Sequence, residues 1–447
     1  MIVSQNRKLN RPIVFSLTAL LAALFLFTSV PSFVFAATPT FSTPINLSND
    51  TAKASSPNVF NVGTHVYVVW SEGGGGVRFR ASPDGGVTWS PPTTSRALKI
   101  STGLGTGPLI SANGSNVYVV WSQKVSTVSQ AFIATSTNFG LSFNAPVQIT
   151  HTVGGGNTVV VASWGSNVYV AYDDPSTSFS YVVSSNNAGA TWSAPFAFGD
   201  FHEPQLAAWM SNAYVSSNQG LATTHNNGGT WVNDSVPPFQ KLHPPLPTTQ
   251  SESWIAAWGN NVYQFYETKG TNSQVNYTVS TDWGNTWSSE ATLSKTLPDS
   301  WAPMIGAYFN DVWVADHTFP GGSKSQVYVY TSTNSGTTFS SPVSLSGSGH
   351  DTSFPFNVAS SDGVNVFVAW AQQSSSNTWV FRVAYSGDSG TTWTPAPGIN
   401  VSNNPSGTSA STNSDLANGA IASFGTHCYA VYQFITGTTN QVYFSAS

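Results

Sequence analysis

A short segment of the form Ser/Thr-x-Asp/Asn-x-Gly-x-Thr/Ser-Trp/Phe occurs seven times in this chain of 447 residues, at 82–89, 136–143, 185–192, 224–231, 280–287, 332–339 and 386–393. Self-similarity at such a period calls for a solenoid or a propeller, because one such unit cannot bury its apolar face alone. The third position carries Asp84, Asn138, Asn187, Asn226, Asp282, Asn334 or Asp388. A short side-chain oxygen there can accept hydrogen bonds from N–H groups of its own turn, so these seven residues are read as structural. The glycine two residues later permits a left-handed backbone. The closing Trp or Phe is expected to pack on apolar residues of the unit, and the hydroxyl before it to tie down a neighbouring strand.

Each unit carries a second mark. A run such as Val66-Tyr67-Val68-Val69-Trp70 follows a Gly/Asn turn, and its central aromatic recurs as Tyr67, Tyr118, Tyr169, Tyr214, Tyr263, Trp313, Phe367 and Tyr429, at intervals of 45 to 62 residues. That spacing fits four ordinary strands with their turns, and no amphipathic helical stretch lies between the marks. Eight marks against seven turn segments leave the last unit without a fourth strand. A match stands at the other end of the chain: Phe-Ser-Thr-Pro-Ile-Asn-Leu-Ser at 41–48 is close to Phe-Ser-Ser-Pro-Val-Ser-Leu-Ser at 339–346. The expected fold is all-β: a closed β-propeller of eight four-stranded antiparallel blades, with the N-terminal strand completing the last blade so that no edge is left exposed. A seven-bladed ring is the alternative, since the fourth unit is short and 398–417 forms a long polar connection.

The seven segments resemble the aspartate boxes, or BNR repeats, of the sialidase superfamily, and with their strands they span 38–447. The resemblance implies a propeller architecture more than a reaction, because such boxes stand away from the active site and also occur in non-enzymatic propellers. It implies further that a sialidase would show an arginine triad for the substrate carboxylate, an Asp acid/base, a Tyr nucleophile with a Glu partner, and an Arg-Ile-Pro-like segment before the first box. This chain has no such segment, and beyond residue 36 its arginines are Arg78, Arg80, Arg96 and Arg382. Three of them fall in or directly after the first repeat, whereas a clamp drawn from several blades needs them dispersed. No catalytic assignment carries over. Arg78 and Arg80 share a strand face by the two-residue period and could grip one anion.

In propellers of this type the rim opposite the boxes is the place to look for a ligand. The candidate residues there are Asp173, Asp174, His202, Glu203, Glu267, Asp316, His317, His350 and Asp351. His202-Glu203, Asp316-His317 and His350-Asp351 pair an imidazole with a carboxylate, which suits proton transfer or metal binding. Neighbours in a strand point to opposite faces, however, so adjacency alone makes no dyad. Asp173-Asp174 fits either a turn that blunts a sheet edge or half of a weak calcium site; no cofactor is required. Trp164, Trp209, Trp254, Trp258, Trp301 and Trp379 could stack on sugar rings or pack between blades.

Charged residues are only 7% of the chain, with 14 Lys and Arg against 19 Asp and Glu. Arg7, Lys8 and Arg11 precede an apolar stretch ending in Val34-Phe35-Ala36, which reads as a signal peptide for secretion or as an N-terminal membrane anchor. Without 1–36 the formal charge becomes −8, which excludes a basic nucleic-acid-binding stripe. Cys428 is the one cysteine, so no internal disulfide can form. Asn46, Asn49, Asn113, Asn233, Asn276 and Asn400 begin glycosylation sequons. The functional expectation is a secreted or cell-surface recognition or scaffold module whose partner is an extracellular glycan or envelope protein. A glycoside hydrolase, sialidase-like or otherwise, is the alternative.

Overall fold

Among the described residues thirty-two strands fall into eight sheets of four, arranged as a propeller around an axis. The computed structural model describes residues 37–447 apart from 151–154, 157, 201–202, 218–219, 234–249, 269–272, 298, 321–323, 350, 376–377, 403–418 and 437–438. The expected signal or anchor segment, 1–36, lies outside the described residues. Blades are numbered 1 to 8 in chain order. Blade 1 runs as an antiparallel meander through Ala54–Val62, His65–Glu72, Gly76–Ser82 and Leu98–Lys99, and blades 2 to 7 repeat this order. The first strand of each blade contacts the first strand of the next, and that of blade 8 contacts that of blade 1, so the inner strands close a ring.

The second strands explain why the sequence marks are apolar on both sides of the pleat. In blade 1, Val66, Val68 and Trp70 pack towards blade 8, while Tyr67 and Val69 pack towards blade 2. All five are buried, as a strand sandwiched between two sheets demands.

Blade 8 is completed from the other end of the chain. Ile45–Asn46 pairs with Thr439–Ala446, with Ile45 opposite Phe444 and Asn46 opposite Tyr443. Leu47 N–H donates to the Val442 carbonyl at 2.8 Å, and Val442 N–H donates to Ser48 Oγ at 3.0 Å. The Leu47 side chain is fully buried among Trp70, Tyr429, Val431 and Phe444. Eight blades, closed by the N-terminal strand, is thus the observed architecture.

The seven boxes form one hydrogen-bonded turn. In the first, Asp84 Oδ1 accepts from Ser82 Oγ at 2.9 Å and from Thr88 N–H at 2.8 Å, and Gly86 N–H donates to Ser82 Oγ at 2.7 Å. The glycine is left-handed in all seven, as the sequence requires, and so is the residue before it. Two details differ from expectation. Thr88 Oγ1 does not reach a neighbouring strand but donates to Asp84 Oδ2 at 2.7 Å, because the turn brings that oxygen closer. Trp89 packs edge-on against Phe444 of blade 8, at 4.9 Å, so the closing aromatic joins two blades rather than only filling its own.

Candidate functional site

The N–H of the residue before each box glycine donates to the turn joining strands one and two of its own blade, as from Gly85 to the Thr64 carbonyl or from Trp283 to that of Asn260. Boxes and first turns therefore share one face of the ring, called here the box face. The loops between second and third strands lie on the other.

On that other face four of the acids foreseen in the sequence are buried within the blades, Asp351 is paired nearer the surface and Glu203 is exposed. Asp173 and Asp174 end a strand and are buried; Asp173 accepts from Ser180 Oγ at 2.6 Å, whereas Asp174 accepts from Ser176 N–H at 2.9 Å and caps the next turn. Glu267 is buried on the side of its strand that carries Tyr263 and Phe265, which packs on blade 6. Asp316 lies on the Val312–Val314 side of its strand, and burial pushes its carboxyl up to about 7, with the Ser300 and Tyr330 hydroxyls offsetting only part of that cost. His317 points the other way, its Nε2–H donating to the Thr352 carbonyl of blade 7 at 3.1 Å. Burial holds this imidazole below its usual range, against the opposing effects of Thr352 and Asp351. Asp316 and His317 therefore do not form a dyad. Asp351 accepts from Lys324 Nζ at 3.1 Å and from Ser325 N–H at 3.2 Å, and Glu203 is exposed with a φ of 31°. His202 and His350 lie outside the described residues. Among the described residues no three acidic, histidine or cysteine side chains come together as ligands for a metal.

The arginines are consumed as well. Glu72 Oε2 accepts from Arg78 Nε at 2.7 Å and from Arg96 Nη2 at 2.8 Å. Arg80, fully buried, donates to the carbonyls of Leu47, Pro91, Pro92 and Ser95. It thereby staples the closing strand to blade 1. The two side chains that could have gripped an anion have separate structural partners.

Towards the axis on the same face lies a cavity of about 620 Å³. Its walls are bulges in the inner strands, where Ser56 and Gly107 adopt left-handed backbone just before Pro57 and Pro108. Thr106, Ser122, Thr158, Leu109 and Phe356 are among its lining residues, and its described lining holds no ionisable side chain. The sequence signal for this feature is an x-Pro pair early in the first strand of several repeats, as at 56–57 and 107–108.

The box face gathers aromatic rings instead. Trp164, Trp209, Trp258 and Tyr308 are the last residues of the inner strands Val159–Trp164, Gln205–Trp209, Gln250–Trp258 and Ser300–Tyr308. Consecutive rings overlap at centroid distances of 4.2, 4.2 and 4.3 Å with tilts of 46°, 45° and 37°. A second cavity of about 620 Å³ opens beside them, lined by Trp209, Trp258, Trp283, Tyr308, Phe309 and Asn310 among others. Three of the six tryptophans singled out in the sequence thus meet. Trp254 and Trp379 are buried, and Trp301 stands 40% exposed on the opposite face.

No protein-family model matches the chain, and no curated protein matches it. Among solved structures it is similar in fold to the BP39L lectin of Burkholderia pseudomallei, at 16% identity and a TM-score of 0.52, over 78% of this chain and 99% of that one. It is similar also to a PL25 ulvan lyase, at 9% identity and a TM-score of 0.50, over 90% of this chain and 95% of that one. The sialidase of Trypanosoma rangeli is similar at 10% identity, with a TM-score of 0.40, over 92% of this chain and 60% of that one. At these identities the likeness concerns the fold alone, that of an all-β propeller.

Proposed function

We propose that this chain is an exported or cell-surface recognition module that binds an uncharged saccharide through its box face and does not hydrolyse it. The observation that carries the reading is the meeting of Trp164, Trp209, Trp258 and Tyr308 from four consecutive blades. Amphipathic rings grouped beside a cavity of about 620 Å³ suit the apolar faces of sugar rings. A hydrolase would instead need two carboxylates facing one ligand at suitable separation. Asp173, Asp174, Glu267 and Asp316 are each buried within the blades, on the face away from these rings.

The test uses purified residues 37–447 on a glycan array, in the presence of a chelator and again with added calcium. Saturable binding of neutral glycans, with no sugar released from the bound ligand or from a sialoside, is the expected result. Turnover lost on replacing a carboxylate would overturn it in favour of a glycosidase. An array without signal, together with copurification with cell-envelope components, would favour a scaffold.

A further inference from the structure

In seven of the eight blades the turn joining first and second strands begins with a left-handed residue. In blades 1, 2, 3, 5 and 8 it is Gly63, Gly114, Gly165, Gly259 and Gly425. In blades 4 and 6 it is Met210 (φ 56°) and Phe309 (φ 51°). In the boxes, the left-handed position before the glycine is small or polar in five repeats, but Phe139 in the second and Trp283 (φ 66°) in the fifth. Large side chains are disfavoured in that backbone region and persist where the surroundings hold them. The surroundings do so here. The Met210 carbonyl accepts from Asn167 Nδ2 at 3.3 Å, that of Phe309 from Asn261 Nδ2 at 3.0 Å, and that of Trp283 from the Tyr214 hydroxyl at 3.2 Å.

Met210, Trp283 and Phe309 come from three different blades, yet they line the same cavity beside Trp209, Trp258 and Tyr308. Met210 is 51% exposed and Phe309 62% exposed, so core packing does not account for their size. Three departures from the repeat, each against backbone preference, converge on one slot.

We infer that Met210, Trp283 and Phe309 form, with Trp209, Trp258 and Tyr308, a slot that holds a neutral pyranose ring of a saccharide chain. This assignment rests on the recognition reading above and names its binding slot. The slot's described lining has no Asp, Glu, His, Lys or Arg, which disfavours a charged sugar. Its rim supplies amides: Asn260 donates through Nδ2 to the Thr281 carbonyl, leaving Oδ1 to accept, and Asn310 accepts through Oδ1 from Ser335 Oγ, leaving Nδ2 to donate. A donor and an acceptor at the edge of an aromatic slot match adjacent sugar hydroxyls better than they match an apolar peptide side chain.

The test replaces all three left-handed residues by the residue that backbone prefers, in Met210→Gly/Trp283→Gly/Phe309→Gly, and measures binding to an array of neutral glucose-, mannose- and galactose-containing oligosaccharides. A melting temperature at or above the parent's, with binding weakened at least tenfold, is expected. Phe309→Gly alone serves as the second variant, expected to keep the fold and weaken binding severalfold. If the parent binds neutral oligosaccharides and both variants bind within twofold of it, the slot assignment is overturned and the recognition reading stands. If the parent binds none, both fall. A peptide-array signal lost in the variants, with no saccharide signal, would give the slot to an apolar side chain and overturn the assignment.

Discussion

The ring of Tyr214 occupies the space beside Gly284: a Cβ built on this glycine, whose φ is +82°, would lie 3.1 Å from Tyr214 Cε1. Tyr214 is the central aromatic of its blade and Gly284 the box glycine of the next. The two repeating marks of the sequence therefore touch across a blade interface, and Gly390 against Trp313 repeats the arrangement. The glycine thus serves both a turn and a joint.

Gly284→Val should cost about 3 kcal/mol, from left-handed strain together with displacement of the Tyr214 ring. Gly259 is also left-handed, but nothing lies within 4 Å of its missing Cβ. Gly259→Ala should therefore cost only about 1 kcal/mol. Chemical unfolding of both variants checks the difference; equal losses would mean that the contact with Tyr214 adds nothing.

Leu47→Ala should destabilise the whole ring by about 3 kcal/mol, because a fully buried side chain leaves a cavity between blades 8 and 1. Deleting 38–48 removes the strand pairing along the open edge of blade 8, including the hydrogen bond from Leu47 to Val442. The cooperative melting transition should then fall sharply or broaden. An unaltered transition in calorimetry would show that closure contributes nothing.

Asp316 should make stability depend on pH in the direction opposite to most carboxylates. Its pKa is raised by burial from 3.8 to about 7, so its contribution is full below the unfolded value and is lost as pH rises through the folded one. The loss approaches about 1.4 kcal/mol per pH unit between those limits. His317, held low by burial, acts in the reverse sense over part of this window, so the comparison must be between parent and Asp316→Asn. The expected result is that the variant's advantage grows from pH 4 to 7 and then levels off. A constant difference across that range would show that Asp316 is ionised in the fold.

The repeats made the architecture readable because each mark answers a local demand: Asp84 and Gly86 satisfy a turn, and Tyr67 a strand buried on both sides. Ile45 and Leu47 could be matched to 343–345 for the same reason. The candidate site was less legible, because its described lining is aromatic and amide rather than charged, and aromatic residues also fill the blade interfaces. Asp174 proved to cap a turn and His317 to donate to a neighbouring blade, since buried polar groups need partners wherever they fall. Of the six sequons, Asn276 is buried with Nδ2 donating to Glu290 Oε1 at 3.0 Å, whereas Asn49 is exposed; spacing alone does not separate them. Met210, Trp283 and Phe309 became visible only as exceptions, where a large residue takes a left-handed position that most of the aligned turns give to Gly or a small residue.

Arg80→Lys should lower stability without touching ligand binding. The guanidinium is fully buried and reaches four carbonyls in two segments, that of Leu47 in one and those of Pro91, Pro92 and Ser95 in the other. An ammonium has three donors on one atom and cannot span that set, so buried carbonyls would be left unpaired, at a cost of about 3 kcal/mol. Because the Leu47 carbonyl belongs to the closing strand, the loss should be smaller when closure is already weakened by Leu47→Ala, and a double-mutant cycle measures that coupling. Saccharide affinity at the box face should stay within twofold of the parent, since Arg80 has no part in the aromatic slot. A variant that melts like the parent but binds its ligand more weakly would instead make Arg80 a ligand-contacting residue.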